Sequence, residues 1–204
     1  MALERRTRQQ VLTEFRTAEI LSAASAVFGD KGFAAATVED IARAAGVAKG
    51  TVYLYFPSKA EICRAAFARN VGELRQRAVA AITSAPEAAS AIRAFATTKL
   101  AYFQEHLGFF AVYRGEAWAD LGAGGALQSA IAASSEAQIA ALADVLEAAI
   151  ATGEVRPVPT IAAAQAVFDL TRAVIERRLR GDASGSSEDE AALVADLLWK
   201  GLAT

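Results

Sequence analysis

The stretch from Thr37 to Phe56, TVEDIARAAGVAKGTVYLYF, constrains this chain more than any other, because its local signals specify two short helices joined by a tight turn. Thr37 is an N-cap residue, and Asp40 three positions on can reach back as in a capping box, so a helix is predicted from Val38. Ile41 and Ala45 fall on its inner face. Gly46 supplies the left-handed residue that stops it, and Val47 turns back into the core. A second helix is predicted over about 48–55, anchored by Val52. Its outward face then carries Lys49, Gly50, Thr51, Tyr53 and Leu54, with Tyr55 on the far side of Leu54. A cation, a gap, hydroxyls and aromatic rings together suit phosphates and base edges, and the two-helix arrangement is that of a DNA-reading helix-turn-helix.

The rest of the chain reads as helix throughout. Of its 204 residues 54% are hydrophobic, enough for a buried core. Apolar spacing gives a first helix over 17–30, with Ile20, Leu21, Ala24, Val27 and Phe28 on one stripe and Gly32 ending it. After the motif, Ser58 and Glu61 form a capping signal for a helix reaching toward Ile82. A fifth starts near Pro86 and ends at Leu107 before Gly108, and a sixth spans 109–121. A seventh covers 127–152, and an eighth, capped by Thr160, ends in Arg177, Arg178 and Arg180. A ninth, capped by Ser187 with Glu190, ends near Leu202. The predicted fold class is all-α, with about nine helices, divided at 74/75 into a domain over 14–74 and a second over 75–204.

Charge supports that division. The net charge is -2, yet residues 1–77 hold 12 Lys and Arg against 8 Asp and Glu, and residues 78–204 hold 9 against 15. The positive part coincides with the helix-turn-helix, as phosphate binding requires. One cysteine excludes an internal disulfide. No apolar run approaches a membrane span and no signal-peptide core is present, so a soluble, cytoplasmic protein is expected. A single His with no cysteine at ligand spacing argues against a metal site, and no cofactor is implied. Neither a Ser-His-Asp ordering nor a phosphate-cradling glycine loop suggests an enzyme. The first ten residues, charged and without apolar periodicity, are expected to form a mobile arm. In it Arg5, Arg6 and Arg8 serve either a narrow minor groove or solubility.

From Ile20 to Ile62 the ordered string resembles the N-terminal domain of TetR-family transcriptional regulators. It comprises an I-L-x-A-A helix ending F-x-x-x-G-F, a Thr before the motif, I-A-x-x-A-G-V, G-T-x-Y-x-Y-F, and a Lys soon after. Beyond about residue 75 the likeness is one of architecture. The resemblance implies that Lys49, Gly50 and Tyr53 face bases, while Thr37, Thr51, Tyr55 and Lys59 contact phosphates of a double-stranded operator. Lys59 would be helped by the N-terminal dipole of its helix. Glu39 departs from the family pattern, standing where some relatives have a base-reading Arg.

The fifth and sixth helices concentrate Tyr102, Phe103, His106, Phe110, Tyr113, Arg114 and Trp118, with Ala117 among them. Rings among alanines form either a plain aromatic core or the wall of a small-molecule cavity. By the resemblance, effectors bind among the fifth to seventh helices. His106 either reaches a ligand or complements its helix's C-terminal dipole, and Cys63 reads as a small buried hydrophobe. Val167, Leu170, Thr171 and Val174 on the eighth helix, and Leu193 and Leu197 on the ninth, are either core or, as the resemblance implies, a four-helix interface with a second copy. The expectation as a whole is a homodimeric repressor released from a palindromic operator by a small molecule. A regulator or DNA-organising protein of the same fold, acting as activator or without a ligand, is the alternative.

Overall fold

The computed structural model describes residues 7–114, 125–183 and 185–203, and among them the chain is all-α. Nine helices follow in order: α1 Arg8–Ala35, α2 Val38–Ala44, α3 Lys49–Tyr55, α4 Lys59–Thr83, α5 Ala88–Glu105, α6 Leu107–Arg114, α7 Ala126–Thr152, α8 Thr160–Leu179 and α9 Ser187–Leu202. The only extended pairing among the described residues is an isolated bridge between Val155 and Ala203. No helix there is long and apolar enough to cross a membrane.

The chain divides into two compact units. Among the described residues, the first runs up to Arg69 and takes in Gly108 to Arg114; the second holds Asn70–Leu107 and the chain from Gly125 onward. The expected boundary at 74/75 falls inside α4, which contributes residues to both units.

In the first unit, Ile20, Leu21, Ala24 and Phe28 of α1 are buried, as are Ile41 of α2, Val52 of α3 and Ile62, Ala66 and Phe67 of α4. α1 begins at Arg8, well before the expected Thr17, because Thr7 and Gln10 form a reciprocal capping box. The last residues of the expected mobile arm, 8–10, are therefore helical, and this early part of α1 leaves Val11, Leu12 and Phe15 exposed. Arg5 and Arg6 lie outside the described residues. Gly32, at φ 74°, interrupts α1 where its stop was expected.

Gly108 was expected to separate two helices, but it sits inside the first turn of α6. Its reason is steric. A Cβ built on Gly108 would collide with the backbone carbonyl of Gly29, and one on Gly29 would stand 3.2 Å from the amide nitrogen of Phe109. The two glycines let α6 lie backbone to backbone on α1. Phe109 and Phe110 then reach Phe67 of α4, with ring centroids 6.0 and 5.6 Å away.

The second unit packs α5, α7, α8, α9 and the later part of α4 around Ile82, Ile92, Phe95, Leu142, Leu146, Val167 and Phe168. Two caps differ from expectation. Pro159, not Thr160, precedes α8, without a side-chain cap. α9 is capped by Ser186, whose hydroxyl accepts from the Asp189 amide at 3.0 Å. Glu190 is unavailable for a capping box because it faces inward, 2.6 Å from Arg178, which also donates to Gln104 and the Gly185 carbonyl.

Lys99 is the anomaly of this core. It is only 4% exposed, its ammonium has no hydrogen-bond partner, and it stands 3.3 Å from the Phe168 ring centroid and 5.1 Å from that of Phe95. Burial, reinforced by Arg172 and opposed by Asp169, brings its pKa down to about 7.

Two expected outcomes follow from these contacts. Gly108→Ala should lower stability by about 1 to 3 kcal/mol, the usual scale of overpacking, since neither colliding atom is a flexible side-chain end; an unchanged denaturation midpoint would refute the close approach. Lys99→Met should raise the thermal midpoint. Between about pH 7 and 10.5 the unfolded wild-type chain holds a proton that the folded chain lacks, so wild-type stability rises with pH there. The gain from Lys99→Met should therefore be largest at pH 7 and below and shrink toward pH 10, as thermal melts across that range would show.

Candidate nucleic-acid interface

α2 starts where the sequence says it should. The Asp40 amide donates to Thr37 Oγ1 at 3.1 Å, and the Thr37 amide donates back to Asp40 Oδ2 at 3.1 Å. Asp40 also receives Lys31 Nζ at 2.8 Å and Arg43 at 3.5 Å. The Lys31 contact, then the Thr37 hydroxyl and amide, hold its carboxyl down to about pKa 2, so it stays ionised and keeps capping. The helix ends in a Schellman turn: the Val47 amide reaches the Ala42 carbonyl at 3.0 Å, the Gly46 amide reaches Arg43 at 3.2 Å, and Gly46 has φ 65°.

α3 is thereby held by its buried Val52 while its opposite face stands in solvent. Leu54 is 83% exposed and Tyr53 48%; Lys49 and Gly50 are exposed too, and Thr51 and Tyr55 are half-buried. Leu54 and Tyr53 thus stand side by side in solvent, uncovered by the unit that holds Val52. Gly50 adds to this. It has ordinary helical geometry, and a Cβ added there would meet nothing within 4 Å. Glycine in a helix interior costs roughly 1 kcal/mol relative to alanine, and no internal contact of the protein requires it. Glu39, on α2, is exposed as well.

Two residues expected at phosphates are otherwise engaged. The Thr37 hydroxyl directs its proton to Asp40 Oδ2 at 2.8 Å, and its oxygen accepts the cap. Lys59 Nζ donates to the carbonyls of Phe33, Ala36 and Ala34 at 2.7, 2.9 and 3.3 Å, and lies 4.5 Å from the Phe33 ring centroid. These acceptors lie more than twenty residues away in sequence, and no local pattern around Lys59 announces them.

In the second unit Tyr102 is buried, its hydroxyl donating to Asn70 Oδ1 at 2.9 Å and its ring 4.5 Å from that of His106. His106 is half-buried and caps α5 through its amide to the Tyr102 carbonyl. Phe103 packs against the cluster around Leu100 and Val174. Phe110 packs edge-on against Phe67 in the first unit. Ala117 and Trp118 lie outside the described residues, as do the side chains of Tyr113 and Arg114.

The predicted interface residues also separate. Val167 and Thr171 are fully buried within the unit and Val174 nearly so, the Thr171 hydroxyl donating to the Val167 carbonyl at 2.8 Å. Leu170, Leu193 and Leu197 face outward, the last two 57% exposed. Every third or fourth residue of one helical stripe cannot be both core and interface, which the sequence alone did not separate.

Residues 20–66 match the family model described as bacterial regulatory proteins, tetR family. Over those residues the chain carries a TetR-type helix-turn-helix domain. Among curated relatives, the HTH-type transcriptional activator FasR of Mycolicibacterium smegmatis is 44% identical over 59 residues, 29% of this chain and 27% of that protein. Such relatives are matched over only 24% to 34% of their own length. The whole fold has solved counterparts. A Mesorhizobium loti protein assigned to TetR-family regulators aligns with a TM-score of 0.77 at 20% identity over 98% of this chain and all of that one. FadR from Bacillus subtilis, solved with stearoyl-CoA, aligns at 0.69 and 22% identity over 90% of this chain and 98% of that one.

The glycine of the TetR-type reading helix yields a signed expectation. Gly50→Ala should stabilise the free protein by up to about 1 kcal/mol and yet weaken DNA binding, because the added methyl occupies the space a duplex must enter. Thermal melts and DNA-shift titrations read the two effects separately. A variant equally or more tightly bound to DNA would remove Gly50 from the interface.

Proposed function

We propose that the protein is a homodimeric repressor, its two α3 helices entering successive major grooves of a palindromic operator and a small molecule in the C-terminal unit releasing it. The observation that carries the DNA part is the solvent-facing set on α3: Lys49, Gly50, Tyr53 and Leu54, with Thr51 and Tyr55 at its margins. Lys49 and Tyr53 read bases, and Thr51 and Tyr55 anchor phosphates. The Leu54 side chain suits a thymine methyl.

Dimerisation is supported by Leu170 on α8 and Leu193 and Leu197 on α9, large apolar side chains that the protomer leaves in solvent. Two such stripes from two copies would cover one another. Successive half-sites lie roughly 34 to 36 Å apart on one face of the duplex, a spacing that a symmetric dimer satisfies and a monomer does not. Release by a ligand is supported by the FadR neighbour solved with stearoyl-CoA, which makes stearoyl-CoA the first probe. A ligand that prefers the conformation with displaced reading heads must weaken DNA binding by the factor by which DNA weakens its own binding. The name of the FasR relative favours a second reading, activation from the same fold.

Selection of bound duplexes from a randomised pool tests the reading directly. A palindrome with half-sites one helical turn apart is expected, with affinity falling steeply as salt is added; a salt-independent, unselective protein would end the proposal. Transcription from a promoter bearing that palindrome then decides repression against activation. Lys49→Ala and Tyr53→Ala should each cost about 1 to 3 kcal/mol of specific binding. Leu193→Asp with Leu197→Asp should leave a folded monomer that has lost the palindrome, because each carboxylate would be buried against its symmetry mate. Sedimentation showing an unchanged dimer would move the interface elsewhere.

A further inference from the structure

Lys59 opens α4, and its three ammonium hydrogens have three acceptors: the carbonyls of Phe33 at 2.7 Å, Ala36 at 2.9 Å and Ala34 at 3.3 Å. An ammonium has three donors and no more. The Phe33 ring, its centroid 4.5 Å from Nζ, covers the cation from one side. The acceptors are the last carbonyls of α1 and its C-cap residue, the groups a helix end leaves without partners. Directly after Ala36 comes Thr37, the N-cap of α2. Directly before Lys59 come Phe56, Pro57 and Ser58, the link from α3. One side chain therefore fixes both ends of the α2–α3 pair: the point where the chain enters it and the point where it leaves. Arg69, ten residues further along α4, donates to the Ala18 carbonyl at 2.6 Å and holds α4 against α1 a second time.

We propose that Lys59 is a positioning residue for DNA reading, setting the placement of α2 and α3 through the α1 exit carbonyls, and that it makes no phosphate contact. This rests on α3 being the reading helix.

Lys59→Arg and Lys59→Met separate the two roles. Arginine keeps the charge and would serve a phosphate well, but its planar fork cannot present three hydrogens to carbonyls that converge on a compact ammonium. With a 30-base-pair duplex selected by the wild type from a randomised pool, both variants should bind at least tenfold more weakly. The comparison is made at a temperature where circular dichroism shows both folded, and the salt slope should be unchanged. Two results overturn the proposal. One is an Arg variant that binds like wild type while the Met variant loses affinity and about 0.9 of salt slope per contact, the mark of a phosphate contact. The other is wild-type affinity in both, which would leave Lys59 a purely structural clamp. A second measurement needs no variant: the Lys59 ammonium of the wild type should give a slowly exchanging nitrogen-resolved signal that keeps its shift when the duplex is added. A signal absent in the free protein, or moved by DNA, overturns the clamp even if both variants fail to fold. A wild type that selects no duplex at all would count against α3 as the reader, and the free-protein ammonium signal would still judge the clamp.

Discussion

The helix-turn-helix depends on how one helix end is finished. α1 is interrupted at Gly32 and ends at Ala35, and the carbonyls of Phe33, Ala34 and Ala36 point where no further turn can accept them. Left unpaired, the part-buried carbonyls of Phe33 and Ala36 would each cost up to about 1 to 3 kcal/mol. The chain answers with a lysine from the start of α4, so the same contact that completes α1 fixes the geometry of the next two helices. A seven-residue helix such as α2 or α3 has no stability of its own in water. Each exists because its ends are tied: α2 by Thr37 with Asp40 and by the Gly46 turn, α3 by Val52 and by its tether to Lys59.

That division explains what was legible in the sequence. The Thr37–Asp40 capping box, the Schellman glycine and the buried Ile41 and Val52 are local, fixed by residues within five positions of each other, and they appear in the structure as read. The nine helices of the described residues were legible for the same reason, because apolar period and helix caps are short-range signals. The contacts that the sequence does not announce are long-range. Lys59 looked like a surface cation near DNA, and its acceptors lie 23 to 26 residues back. Gly108 looked like a helix stop, and its partner is Gly29. Glu190 looked like half of a cap, and it is held by Arg178.

The aromatic residues of α5 and α6 show a further limit. Proximity in sequence suggests one cluster, but it does not announce that Tyr102 donates to Asn70 or that Phe110 packs edge-on against Phe67. Composition identifies what could line a cavity, and long-range contacts such as these decide what each ring packs against. The eighth-helix stripe fails in the same way. Val167, Thr171 and Val174 lie on the buried side and Leu170 at its exposed edge, a rotation too small for spacing to resolve.

Stability and reading pull in opposite directions on α3. The helix has no side-chain N-cap, carries a glycine at its second position and exposes Leu54 and Tyr53. Each feature weakens a free helix: a capping Ser or Asp in place of Ala48, an alanine at Gly50 and polar residues at 53 and 54 would all suit water better. The first unit nonetheless holds α3 in place from outside, through Val52 beneath it and the ties of its two neighbours. Rigidity supplied by α1, α2 and α4 frees the exposed face of α3 to be chosen for what it meets, and that face is the part of the molecule least explained by its own folding.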